Sequence, residues 1–143
     1  MKSKIPLVID SSVAVKWLNR QDEDHIDMSN KILKDAQEGK THLIMPELAK
    51  YEIGNALLYK NMPLQNTLGS VATYYGIPIE FVPQDQQQAQ GAMAIAFDNK
   101  VTFYDASFMS LAIENKAKLV TDNPKHQSKK ISGLKVISLR DYR

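Results

Sequence analysis

Residues 5–18 read IPLVIDSSVAVKWL. Ile5 to Ile9 is aliphatic and β-branched without polar alternation, the pattern of a strand buried on both faces. Asp10 breaks the run, and Ser11 and Ser12 are placed to cap a short helix carrying Val13, Val15, Trp17 and Leu18. Downstream, the polar run QDEDHID (21–27) leads into a helix from Ile26 to Glu38 that Gly39 stops. Thr41 to Met45 is a second apolar strand, ended by Pro46. Helices are expected over Glu47–Lys60 and over Leu64–Tyr75, the latter stopped by Gly76. A third strand then covers Ile77–Val82, followed by a helix over Gln84–Phe97. Tyr104–Asn115 is periodic, with Tyr104, Phe108, Leu111 and Ala112 on one stripe. Lys118–Thr121 and Lys135–Leu139 read as the last strands. Strands alternating with helices imply right-handed crossovers. The expected fold is therefore a three-layer α/β/α architecture around a central parallel sheet of four to five strands.

The 143 residues are expected to form one domain, 1–143, with 43% hydrophobic and 24% charged residues, ordinary for a globular chain. No cysteine is present, which excludes disulfides, thiolate metal sites and a cysteine nucleophile. No apolar run approaches the ~20 residues of a membrane helix. Five apolar residues before Asp10 are too few for a signal peptide, so a cytoplasmic location with no membrane partner is expected. The six glycines are scattered and form no phosphate-cradling loop, so ATP and NAD drop out. Net charge is only +2, but residues 114–143 hold eight Lys/Arg against three Asp/Glu. A basic end beside an acidic remainder can steer a phosphate backbone, and an unevenly charged solvated surface explains it equally well.

In a parallel sheet the functional crevice lies beyond the carboxyl ends of the strands. Asp10 follows the first strand and Asp122 the fourth, so both point toward that crevice. Asp105 sits in the first turn of its helix, where a carboxylate also complements the helix dipole. Glu52 lies on the shoulder of the stripe formed by Ala49, Ile53, Ala56 and Leu57, where a charge is costly unless paired. Asn55, three residues on, is placed to hold it. Each acid alone has a plain structural reading. Together, four acids from strand ends and helices repel one another unless a cation joins them. Oxygen-only ligation suits Mg²⁺ or Mn²⁺, which activates water and neutralises charge on a phosphoryl group.

Four segments, VIDSSVAVKWL, MPELAKYEIGNAL, YDASFMSLA and LVTDN, resemble the PIN domain, and within it VapC-type toxins of toxin–antitoxin pairs. They span Val8 to Asn123 in family order. The resemblance matches Asp10 to the first family aspartate and Ser12 to the hydroxyl that supports the metal site. Glu52 matches the acid of P-x-L-x-x-x-E (Pro46, Leu48), and Asp105 the acid of the YDA helix. Asp122 matches the fourth acid with a departure. Many members carry T-x-D, whereas here Asp122 directly follows Thr121 and Asn123 stands at the usual place. The resemblance implies a Mg²⁺- or Mn²⁺-dependent ribonuclease acting on RNA, commonly a homodimer and commonly held inactive by a cognate antitoxin.

Other residues carry less. His25, His42 and His126 are too scattered for a shared metal site or a Ser–His–Asp arrangement. Trp17, Phe103, Tyr104 and Phe108 read as core or interface, and Ala92–Ala96 as core or dimer surface. Lys16, Arg20, Lys125, Lys129 and Lys130 flank the crevice, where phosphate contacts and plain solvated side chains are equally good readings. Two alternatives stand beside the nuclease: a degenerate PIN fold that binds RNA or protein without cutting, and a receiver-like phosphoacceptor. The latter lacks an acidic neighbour to Asp10, a phosphoacceptor after Val82 and a lysine after Leu139.

Overall fold

Three mainly aliphatic runs lie side by side at the centre of the molecule, apolar enough in their middles for both faces to be covered. The computed structural model describes residues 3–123 and 130–143. The runs form β1 (Ile5–Ile9), β2 (Thr41–Pro46) and β4 (Lys118–Thr121). With β3 (Ile79–Val82) and β5 (Lys135–Ser138) they make a five-stranded sheet of order β3-β2-β1-β4-β5, parallel at every pairing. Val8 sits level with Ile44 on one side and Leu119 on the other, all deeply buried. The parallel α/β/α expectation holds, with five strands.

Among the described residues six α-helices connect the strands: α1 (Ser11–Ala14), α2 (Ile26–Gln37), α3 (Ala49–Leu58), α4 (Leu64–Tyr75), α5 (Gln86–Asn99) and α6 (Phe103–Glu114). A 3₁₀ turn over Val15–Trp17 extends α1. On the way outward from β1 to β3, α2 packs on β2, α3 packs on α1, and α4 packs on α3. On the return from β3 to β4, α6 packs on β1, β2 and β4, and α5 packs on α6. The order of the strands reverses at β1, so the crevice expected of such sheets opens beyond the carboxyl ends of β2, β1 and β4. Among the described residues no helix is long and apolar enough to cross a membrane.

Local departures from the sequence reading have physical causes. β3 begins at Ile79, not Ile77, because Pro78 has no N–H for the ladder and the Ile79 amide turns back to Ile77 O at 2.8 Å. The residue at the start of α1 is Asp10, in extended conformation, so Ser11 and Ser12 lie inside the helix and cap nothing. On α6 every residue from Ala106 to Ala112 is buried between the sheet and α5, while Tyr104 stands 62% exposed, off the expected stripe. The α5–α6 packing is close: a Cβ on Gly91 would meet Ser110 Oγ at 2.8 Å. Of the small-residue run, Ala92 is core, but Met93 is exposed.

Candidate functional site

Asp10 is where β1 becomes α1. Its amide donates to Val120 O at 2.9 Å, carrying the strand pairing onto it, and its carbonyl accepts from the amides of Val13 and Ala14. The side chain is 6% exposed. Carboxylate Oδ2 accepts from Ser12 Oγ at 2.5 Å and from Thr121 Oγ1 at 3.1 Å. Ser12 Oγ in turn accepts from the Asp122 amide at 3.1 Å, and Thr121 Oγ1 from the Asn123 amide at 3.0 Å. Two hydroxyls thus stitch the turn after β4 to the acid after β1.

Glu52 projects from the first turn of α3, where its Oε1 accepts from Ser11 Oγ at 2.9 Å. Asn55, expected to hold it, is exposed instead. Adjacent serines serve different acids because successive residues of a short helix diverge by about 100°. Asp105 lies half-buried in the first turn of α6, its amide capped by Thr102 Oγ1 at 3.0 Å. That end of α6 reaches the carboxyl ends of β2 and β3. Gln84, just past β3, donates to Ser107 Oγ at 3.1 Å, and Pro46, Leu48, Gln84, Phe103 and Tyr104 line a groove of about 170 Å³.

Asp122 is engaged differently. Its Oδ2 lies 3.0 Å from Lys16 Nζ and its Oδ1 3.1 Å from His25 Nδ1. Lys16 is only 2% exposed, and its ammonium also donates to Glu23 Oε1 at 2.9 Å. Glu23 Oε2 pairs with Lys60 Nζ at 2.6 Å, and Lys60 bonds the Gln21 carbonyl as well. Burial opposes the charge on Lys16, but Glu23 and Asp122 outweigh it, so its pKa rises above the ordinary 10.5. Burial likewise opposes ionisation of Glu23, yet Lys60 and Lys16 hold its pKa below the ordinary 4.5. Lys16 is therefore no phosphate contact, contrary to the sequence reading. Arg20 and Lys130 are exposed, while Lys125, His126 and Lys129 lie outside the described residues. The roles of His25, Glu23 and Lys60 left no mark in the sequence, since all three meet their partners through a loop of irregular backbone. Left-handed conformations at Asp22 (φ 58°) and His25 (φ 57°) turn that loop back.

Asp10, Ser12, Thr121 and the backbone of Asp122 and Asn123 form one hydrogen-bonded unit, and Glu52 joins its neighbour Ser11. Among the described residues no group of three or more His, Cys, Asp or Glu side chains stands arranged to hold a metal. The donors themselves, carboxylate and hydroxyl oxygens without sulfur, suit a hard divalent cation.

A family model described as the PIN domain matches residues 7–131. No curated protein matches the chain by sequence. Solved structures share its fold at low identity. VapBC2 from Rickettsia felis, bound to a promoter DNA fragment, matches at TM-score 0.73 and 14% identity, covering 94% of this chain and 98% of that one. DNA-bound VapBC from Salmonella typhimurium matches at TM-score 0.71 and 15% identity, with the same coverage, 94% and 98%. VapC20 from Mycobacterium tuberculosis, a toxin that cleaves the sarcin–ricin loop, matches at TM-score 0.61 and 9% identity over 78% of this chain and 85% of that one.

Proposed function

The chain belongs to the PIN-domain family, and from that membership we propose that it is a metal-dependent endoribonuclease, the toxin of a toxin–antitoxin pair. The observation that carries this reading is the buried carboxylate of Asp10, fixed by Ser12 and Thr121 at the carboxyl edge of the sheet. Neutral hydroxyls orient that carboxylate without cancelling its charge, which leaves the charge for a cation. Glu52, oriented by Ser11, and Asp105 at the start of α6 complete the negative edge, with Asp122 beside them. Bound Mg²⁺ or Mn²⁺ supplies an activated water and neutralises charge on the phosphoryl group. The protein's part is to hold the cation with carboxylates whose positions are set before it arrives, and to keep the scissile phosphate at the strand ends.

VapC20 supports RNA as the substrate, and the VapBC complexes support a cognate antitoxin as partner. A homodimer and a cytoplasmic location belong to the same proposal. A non-cutting PIN fold is the second reading, favoured by the lack of a ready three-acid group among the described residues. Incubating structured RNA with wild type and Asp10→Asn, with Mg²⁺, with Mn²⁺ and with EDTA, separates the two. Cleavage that needs the metal and vanishes in Asp10→Asn supports the nuclease. Metal-independent cleavage, or RNA bound and left intact under every condition, overturns it.

A further inference from the structure

Lys16 and Asp122 form an ion pair at the strand ends. Asp10 Oδ2 has two neutral hydroxyl donors, whereas Asp122 has a buried ammonium 3.0 Å from Oδ2. That ammonium cannot swing away into water, since Lys16 is 2% exposed and lies in the 3₁₀ turn continuing α1. Lys60 and Glu23 fix it from behind. Two lysines and two acids in a row balance in charge, so Asp122 already has a counter-charge in place without a metal ion.

We propose that Lys16 is a positioning residue that keeps Asp122 out of direct ligation of the catalytic cation. A divalent ion on the same carboxylate would meet the buried ammonium at close range, where repulsion is strong and poorly screened. Asp122 therefore acts on the cation through space or through water, and the negative charge that grips it comes from the other acids. This deepens the nuclease reading and rests on it. It also gives the departure at Asn123 a physical setting: with Asp122 committed to Lys16, the corner after β4 serves Asp10 through Thr121 more than it serves the metal.

Mn²⁺ binding by calorimetry, with no RNA present, tests the inference on wild type, Asp10→Asn, Asp122→Asn, Lys16→Met and the Lys16→Met/Asp122→Asn double variant. Lys16→Met leaves both former partners held, Glu23 by Lys60 at 2.6 Å and Asp122 by His25 at 3.1 Å. Expected are loss of binding in Asp10→Asn and affinity within about threefold of wild type in Asp122→Asn. In Lys16→Met the affinity should rise about tenfold as Asp122 becomes available. That gain should disappear in the double variant, which a merely structural role for Lys16 would not produce. Asp122→Asn losing Mn²⁺ as completely as Asp10→Asn overturns the inference while leaving the nuclease reading standing. So does a Lys16→Met protein with unchanged affinity. Should Lys16→Met fail to fold, Asp122→Asn alone decides. Wild type that binds no Mn²⁺ overturns both readings together.

Discussion

Ser11 Oγ donates to Glu52 Oε1 at 2.9 Å, joining the first turn after β1 to the helix that follows β2. The two residues lie 41 positions apart, and their bond ties together the first two of the four acidic motifs. A neutral donor on a half-buried carboxylate is worth about 1–2 kcal/mol. Ser11→Ala should therefore lower stability in urea by about 1 kcal/mol, while Ser11→Thr, keeping the hydroxyl, should cost less. Equal losses for both would show that helix packing, and not the bond to Glu52, sets the cost.

The sheet was legible because its strands are contiguous aliphatic runs and its acids fall one residue past β1 and β4. Such signals are local. Lys16 was not legible, since an isolated lysine in a sequence reads as surface, and its burial depends on Asp122 arriving from the far side of β4, 106 residues on in the numbering. Ser11 and Ser12 carried a genuine hydroxyl signal, but a capping residue and a side-chain donor to a distant acid look alike in one dimension. Tyr104 misled for another reason. α6 is buried on nearly all sides over 106–112, Ser107 and Ser110 included, so its burial follows no single stripe; Phe108, Leu111 and Ala112 are core, and Tyr104 lies outside the buried span.

The Tyr142 hydroxyl donates to Asp35 Oδ2 at 2.7 Å, pinning the C-terminal segment to α2, and both residues are buried. Burial opposes ionisation of Asp35, but Tyr142 and Lys31 outweigh it and hold its pKa below the ordinary 3.8. Its share of stability is thus present above pH 3.8 and lost as pH falls through the lower folded value. Burial and the Asp35 charge raise the pKa of Tyr142 above 10.0, so its share is present below pH 10.0 and lost as pH rises through the folded value. Tyr142→Phe should cost about 1–2 kcal/mol near neutrality and flatten both limbs. Unfolding in urea across the pH range checks this; limbs as steep as in wild type would assign the pH dependence to other groups.

Gly91 lets α5 approach α6. Alanine would bring helix propensity worth about 1 kcal/mol, but its methyl would displace Ser110 Oγ, whose bond to Gln88 O at 3.2 Å is then broken. Overpacking should win, for a net loss of about 1–2 kcal/mol. In a Ser110→Ala background the same substitution should turn neutral or stabilising. Additive effects in this thermal-unfolding cycle would count against the contact.

Thr121 links the last acidic motif to the first. Its hydroxyl donates to Asp10 Oδ2 at 3.1 Å, accepts from the Asn123 amide at 3.0 Å, and is wholly buried. Thr121→Val keeps the shape and deletes both bonds, leaving the Asn123 amide without this acceptor and Asp10 oriented by Ser12. The loss should be about 1–3 kcal/mol. Thr121→Ser keeps both bonds and loses only a methyl group, about 1 kcal/mol. Stability alone does not separate the two jobs of the hydroxyl, because both substitutions weaken the fold. Mn²⁺ affinity does. A carboxylate oriented by one hydroxyl rather than two must be ordered when the cation binds, so the valine variant should bind Mn²⁺ several-fold more weakly and the serine variant as wild type does. If valine and serine variants bind Mn²⁺ alike, the Thr121 hydroxyl serves the turn after β4 and does not preorganise Asp10.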